Sequence, residues 1–227
     1  MWLSNSSIGR KVVMSVTGLA LVLFLTFHMS MNLVALFSAD AYDMICEFLG
    51  ANWYALVATV GLAALTVIHI VYAIWLTLLN RKARGTERYA VQGKAEEVSW
   101  ASQNMLVLGS IVVLGIALHL FNFWYNMQYA EIAELTNVTV AGTAVGPTDG
   151  AKLIELTFAS PVYTGLYLVW LTALWFHLTH GFWSALHTLG WNNKLWLKRW
   201  QVVGNAYTTL VILGFAVVVI VFFLKSL

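Results

Sequence analysis

The sequence predicts an all-α integral membrane protein built as a bundle of five transmembrane helices. Three observations predict it. Of the 227 residues, 60% are hydrophobic and only 10% are charged, which is more apolar surface than one soluble core of this size can bury. Five runs contain no Asp, Glu, Lys or Arg, at 12–39, 48–80, 98–130, 156–193 and 200–224, and each exceeds the roughly 20 residues that cross a bilayer as a helix. These runs are continuously apolar, whereas barrel strands would alternate over segments of about ten residues.

Taken in order, helices are expected at about 12–37, 54–80, 103–127, 161–189 and 201–224, all within one domain spanning 1–227. The first follows Arg10 and Lys11, as a signal peptide would. Its apolar stretch is longer than the roughly 7–15 residues of such a segment, so it is read as a retained helix. Between the second and third helices lies a polar loop, 81–97, dense in both charge signs and suited to docking a cytoplasmic partner. The segment 128–160 reads as a loop with turns at Gly146-Pro147 and Asp149-Gly150.

Lys and Arg tend to remain on the cytoplasmic side. Here Arg10, Lys11, Arg81, Lys82, Arg84, Arg88, Lys94, Lys194, Lys198 and Arg199 fall on one side and only Lys152 and Lys225 on the other. That distribution predicts a cytoplasmic amino terminus and an external carboxyl terminus in the cell's inner membrane. Cys46 is the only cysteine, which excludes an internal disulfide, an iron–sulfur ligand set and covalent C-x-x-C-H haem attachment. No G-x-G-x-x-G dinucleotide motif is present. Nucleic acid is not expected as a partner.

The chemistry falls on histidine. His28, His69, His119, His177, His180 and His187 all lie in the charge-free runs, where a polar side chain is costly and needs a partner. Counted from the inner ends of their helices, at Lys11, Ser102, Arg81 and Gly190, His28 and His119 each lie 17 residues deep, while His69 and His177 lie 12 and 13 residues deep. At about 1.5 Å per residue these depths are roughly 25 Å and roughly 19 Å. Two layers result, each with one histidine from each of two helices, as iron held by two imidazoles requires. The bundle is therefore expected to enclose two b-type haems. His180, one turn from His177, competes with it as partner of His69, with depth favouring His177. His187 is too shallow for either layer and suits water, a propionate or a lipid head group. Gly18, Gly61, Gly109, Gly115, Gly165 and Gly181 would admit a macrocycle, or simply a close helix contact.

The order and spacing of these motifs extend over essentially the whole chain. Ser15-x-Thr17-Gly18-Leu19 precedes His28, then come His69 and His119, and Phe176 to Trp191 reads F-H-L-T-H-G-F-W-S-A-L-H-T-L-G-W. Together they resemble the di-haem cytochrome b subunit that anchors succinate dehydrogenases and fumarate reductases, in its single-chain, five-helix form. The resemblance implies a proximal haem on His69 and His177 and a distal haem on His28 and His119. It implies as partners a flavoprotein with FAD and an iron–sulfur protein on the cytoplasmic face, and a membrane quinone, menaquinone by analogy, as the redox substrate. It also implies a propionate contact for Ser15, to which Arg10, Lys11 and Arg88 could add charge. The chain itself would not convert dicarboxylates but would be the site of the quinone reaction.

Some di-haem relatives carry a glutamate two residues before the fourth-helix ligand, associated with proton movement; here that position is Trp175. Glu47, with Asp43 as a competitor, lies where the family can place a carboxylate for quinol oxidation. Asn122, Asn126 and Gln128 are candidates to hydrogen-bond a quinone carbonyl. Two alternatives remain open: an anchor for another dehydrogenase, such as a hydrogenase or formate dehydrogenase, and a haem-free transporter whose histidines relay protons.

Overall fold

The chain was analysed as a computed structural model that describes residues 6–84, 100–191, 193 and 195–227. Arg88, Lys94 and Lys194, assigned above to the inner side, lie outside the described residues. Five helices are long and apolar enough to cross a membrane, in the order the sequence predicts.

The first span, α1 (Ser7–Val34), begins at Ser6, whose hydroxyl accepts a hydrogen bond from the Gly9 amide at 2.9 Å, satisfying one of the free donors of a helix start. A short helix, α2 (Ala39–Phe48), is capped in the same way by Ser38. The second span is α3 (Trp53–Arg84). A one-turn helix, α4 (Trp100–Gln103), leads into α5 (Met105–His119), which continues as a π-helical segment, Leu120–Tyr129, and ends in α6 (Ala130–Ile132). The third span thus runs from Met105 to Ile132. The widened π turn begins at the residue after His119, and such insertions recur at functional sites.

The segment 128–160 is not the plain loop expected from its sequence. It holds a hairpin, β1 (Val138–Val140) with β2 (Thr143–Val145), in which Val138 faces Val145. Its two-residue turn places Ala141 at φ 49° and Gly142 at φ 80°, the positive-φ pair of a type I′ turn that matches strand twist. It also holds α7 (Gly150–Phe158), with Leu153, Ile154, Thr157 and Phe158 buried. Lys152 and Glu155 pair on its outer side at 2.8 Å; their charges interrupt the apolar run and hid the amphipathic pattern. At Gly146-Pro147 and Asp149-Gly150 the turn does form, with the Asp149 carboxylate accepting from the Gly146 amide.

The fourth span, α8 (Pro161–Thr188), starts with Ser160 as cap and proline in the first turn, where proline's missing N–H costs nothing. It stops at Gly190, φ 84°, with Trp191 N–H bonded to Leu186 O and Gly190 N–H to His187 O, a left-handed ending that glycine adopts without strain. The fifth span is α9 (Trp196–Lys225), its start held by the Asn193 side chain on the amides of Leu195 and Trp196.

In the bundle α8 packs against α1, α5 and α9, and α9 also against α1. Val22, Tyr167, Leu171, Leu178, Ile212 and Val219 form its core. α3 is different. It packs mainly against α1, and no residue of its apolar window is buried.

Candidate functional site: two histidine pairs

Each of the four histidines in the two predicted layers meets its predicted partner. The rings of His28 on α1 and His119 on α5 stand 5.7 Å apart, centre to centre, at 82°. The rings of His69 on α3 and His177 on α8 stand 6.4 Å apart at 68°. Edge-to-face rings at such distances are ordinary on their own. They also match two imidazoles sharing one metal ion, for which about 6 Å is expected: roughly 2 Å for each metal–nitrogen bond and about 1 Å from each nitrogen to its ring centre.

The surroundings of the two pairs differ. Phe24 stacks on His28 at 5.3 Å and Phe215 lies 5.7 Å from it, while Phe123 and Trp170 lie 5.2 and 5.8 Å from His119. This pair is walled by aromatic rings. The second pair is flanked by small residues: a Cβ built on Gly18 would lie 3.2 Å from the His69 ring, and one on Gly109 would lie 3.9 Å from the His177 ring. Gly61, Gly165 and Gly181 face nothing within 4 Å. Gly115 has another duty, because any Cβ there would run into the indole of Trp170.

The distance between layers is larger than depth counting suggested. Thr17 on α1 touches His69 and lies eleven residues from His28; Gly109 on α5 faces His177 and lies ten residues from His119. At about 1.5 Å per residue the layers are therefore about 15 Å apart, against the roughly 6 Å implied by counting. The Arg10 guanidinium lies 5.0 Å from the centre of the Trp75 ring, so Trp75, not Arg81, is level with the start of α1. Counting from Arg81 overstated the depth of His69 by six residues, about 9 Å.

The donor set suits a metal that brings ligands of its own. Among the described residues no group of three or more His, Cys, Asp or Glu could hold a metal ion, so each pair offers two nitrogens and no more. A structural zinc site needs four protein ligands, whereas haem iron carries four porphyrin nitrogens and needs only two from protein. Nδ1 of His119 and of His177 is buried without a hydrogen-bond partner, a costly state in an apolar interior. His180 Nδ1 is in the same state, and its ring lies 5.1 Å from Trp183. His187 is exposed.

Of the residues proposed to contact propionates, Ser15 is buried, Lys11 is exposed, and Arg10 is engaged with Trp75 and, through Nε, with Ser6 O. Of the quinone candidates, Asn122 is buried and donates to the Tyr167 hydroxyl at 3.3 Å. The Asn126 amide is held by the carbonyls of Phe121 and Asn122. Gln128 ties three elements together, donating to Gly50 O at 3.0 Å and accepting from Thr59 and Trp124 at 2.9 Å each. Replacing it by leucine leaves these groups unpaired and is expected to lower stability by about 2 kcal/mol, read as a lower thermal midpoint in detergent. Glu47 is exposed, while the Asp43 carboxylate caps α7 through the Ala151 amide at 2.8 Å. Asp43 is thus committed to the fold, and Glu47 is the open carboxylate of the two.

Cys46 lies beside this cap. Burial, and then the charge of Asp43, push its thiol from 9.0 up to about 12, against hydrogen bonds from Tyr42 and Gly150. The thiol is therefore expected to resist maleimide at pH 8 and to react promptly once the fold is opened. Because the folded state holds this proton more tightly than the unfolded state, its stabilising contribution is intact below about pH 9 and is lost between 9 and 12. Thermal midpoints measured over that range would show the decline, and Cys46→Ala would lack that component.

Residue typing missed Tyr167 and Trp170, which line His119. Trp170, seven residues before His177, carried the available signal, since that spacing returns close to the His177 face of the helix. No protein-family model, curated protein or solved structure matches the chain.

Proposed function

We propose that the chain is the membrane-anchor cytochrome b of a succinate dehydrogenase or fumarate reductase, relaying electrons between that complex's iron–sulfur subunit and a membrane quinone, menaquinone by the resemblance. The observation that carries this reading is the meeting of imidazoles from four separate spans in two pairs, at 5.7 and 6.4 Å, about 15 Å apart along the bundle. His28 with His119 would hold one haem b and His69 with His177 the other, His180 being the alternative to His177. Haem would supply iron that accepts and gives up a single electron, and two imidazoles for each iron would leave it no open position for oxygen.

The residues of the chain do the rest. The imidazoles bind and orient, and Phe24, Phe123, Trp170 and Phe215 exclude water from the His28–His119 layer. Exposed Glu47 and buried Asn122 are the groups proposed at the quinone, and Ser15, Arg10, Lys11 and Arg88 those proposed at propionates. The iron–sulfur and flavin subunits would dock on the cytoplasmic face, where α3 ends and the His69–His177 layer is nearer. The positive charge distribution supports an inner-membrane location with the amino terminus inside.

Purification of the chain with its native partners tests the reading. A red complex with two haems per chain, reduced by succinate or by a quinol, is expected. Hydrogenase or formate dehydrogenase subunits in place of the flavoprotein would assign the anchor to another complex, and a colourless protein would favour a proton-relaying transporter.

A further inference from the structure

We infer that Thr17 fixes the tautomer and orientation of His69, so that Nε2 is the nitrogen presented to a metal; the inference rests on the haem reading above. The Thr17 side chain is buried, with Oγ1 3.1 Å from His69 Nδ1. The same oxygen lies 2.9 Å from Val13 O and 3.1 Å from Met14 O on its own helix. A hydroxyl has one hydrogen and two lone pairs, and a carbonyl oxygen can only accept. The Thr17 hydrogen is therefore spent on α1, as is usual for threonine inside a helix. With the hydroxyl hydrogen on α1, the hydrogen shared with His69 is assigned to the imidazole. Nδ1–H donates to Thr17, and Nε2 keeps its lone pair free.

α1 also bounds the ring at Cε1, where Gly18 leaves only the space that a Cβ would take. The ring is thus held between a hydroxyl and a glycine of one neighbouring helix. The position of α3 shows why such a hold is needed. With nothing buried in its apolar window, packing does not lock its side chains, whereas His177 sits on α8 among buried neighbours. A ligand imidazole whose second nitrogen donates a hydrogen bond is oriented and made more basic.

The test uses the purified full chain with both haems and the variants Thr17→Val, which keeps the shape, and Thr17→Ser, which keeps the hydroxyl. Haem retention, an absorbance-monitored redox titration and the low-spin ferric resonance spectrum are read for each. Thr17→Val is expected to hold one haem about tenfold more weakly or worse and to move its potential in the positive direction, leaving the other haem unchanged, while Thr17→Ser behaves as wild type. Unaltered haems in Thr17→Val, loss of both together, or a serine variant that behaves like valine would each overturn the inference. If the wild-type chain holds two haems and only this series fails, Thr17 alone loses its role; a wild-type chain without haem removes the haem reading itself.

Discussion

His28→Ala and His119→Ala are expected to lose one and the same haem, and His69→Ala and His177→Ala the other. Haem counted per chain should fall from two to one in each variant, and pairing one variant from each layer should leave none. The argument is geometric. Each ring has one partner ring close enough to share a metal, at 5.7 or 6.4 Å, and the layers are about 15 Å apart, too far for a histidine of one layer to serve the other. His180 is the one residue able to blur the result, being a turn from His177 on α8 with an unpartnered, buried Nδ1. If His177→Ala keeps two haems and His177→Ala/His180→Ala keeps one, then His180 is the ligand or its substitute. Two haems retained in His28→Ala or His119→Ala would end the pairing, since no other histidine lies in that layer. Electron flow is the second readout. With one layer empty, quinone-linked turnover should stop, while succinate oxidation by the soluble subunits with an artificial acceptor continues.

The spans and the pairing were legible in the sequence for different reasons. A bilayer imposes a length and excludes charge, so the five runs marked the helices to within a few residues; α9, starting at Trp196 instead of 201, extends through Lys198 and Arg199 because charge ends an apolar run but not a helix. Histidine in such runs is rare enough to stand out without any fold in hand. Depth was legible only as far as the helix ends are level. α3 continues nine residues past Trp75, the residue that meets Arg10, and a sequence carries no mark of that offset. The supporting residues were harder still. Thr17 stood in the first-helix motif with no role attached, Tyr167 and Trp170 are commonplace in a membrane helix, and the relation of all three to a histidine depends on a neighbouring helix's rotation. Helix α7 was missed for the opposite reason, its Lys152 and Glu155 disguising a buried face.

Gly115→Ala is expected to be the most damaging single-methyl change near the distal pair, costing about 3 kcal/mol. Gly115 is buried on α5, and the space above it is filled by the indole of Trp170 from α8. That ring cannot swing away freely. Its Nε1 donates to Val112 O at 3.2 Å, and it packs against Tyr167 at 5.6 Å and His119 at 5.8 Å. A methyl must therefore push α5 from α8 or turn the indole out and leave its Nε1–H without the Val112 carbonyl it donates to. Either movement changes the wall behind His119 while leaving all four paired histidines in the sequence. On the proposed haem assignment, a haem on His28 and His119 should be held more weakly in Gly115→Ala, with a lower thermal midpoint, while one on His69 and His177 retains its spectrum. The companion Gly165→Ala, at a glycine with nothing within 4 Å, should change neither. A double variant, Gly115→Ala/Trp170→Phe, gives the added methyl room by removing part of the indole and should recover some of the loss. If Gly115→Ala matched wild type in both haem retention and midpoint, close packing of α5 on α8 through Trp170 would not be what shapes the distal layer.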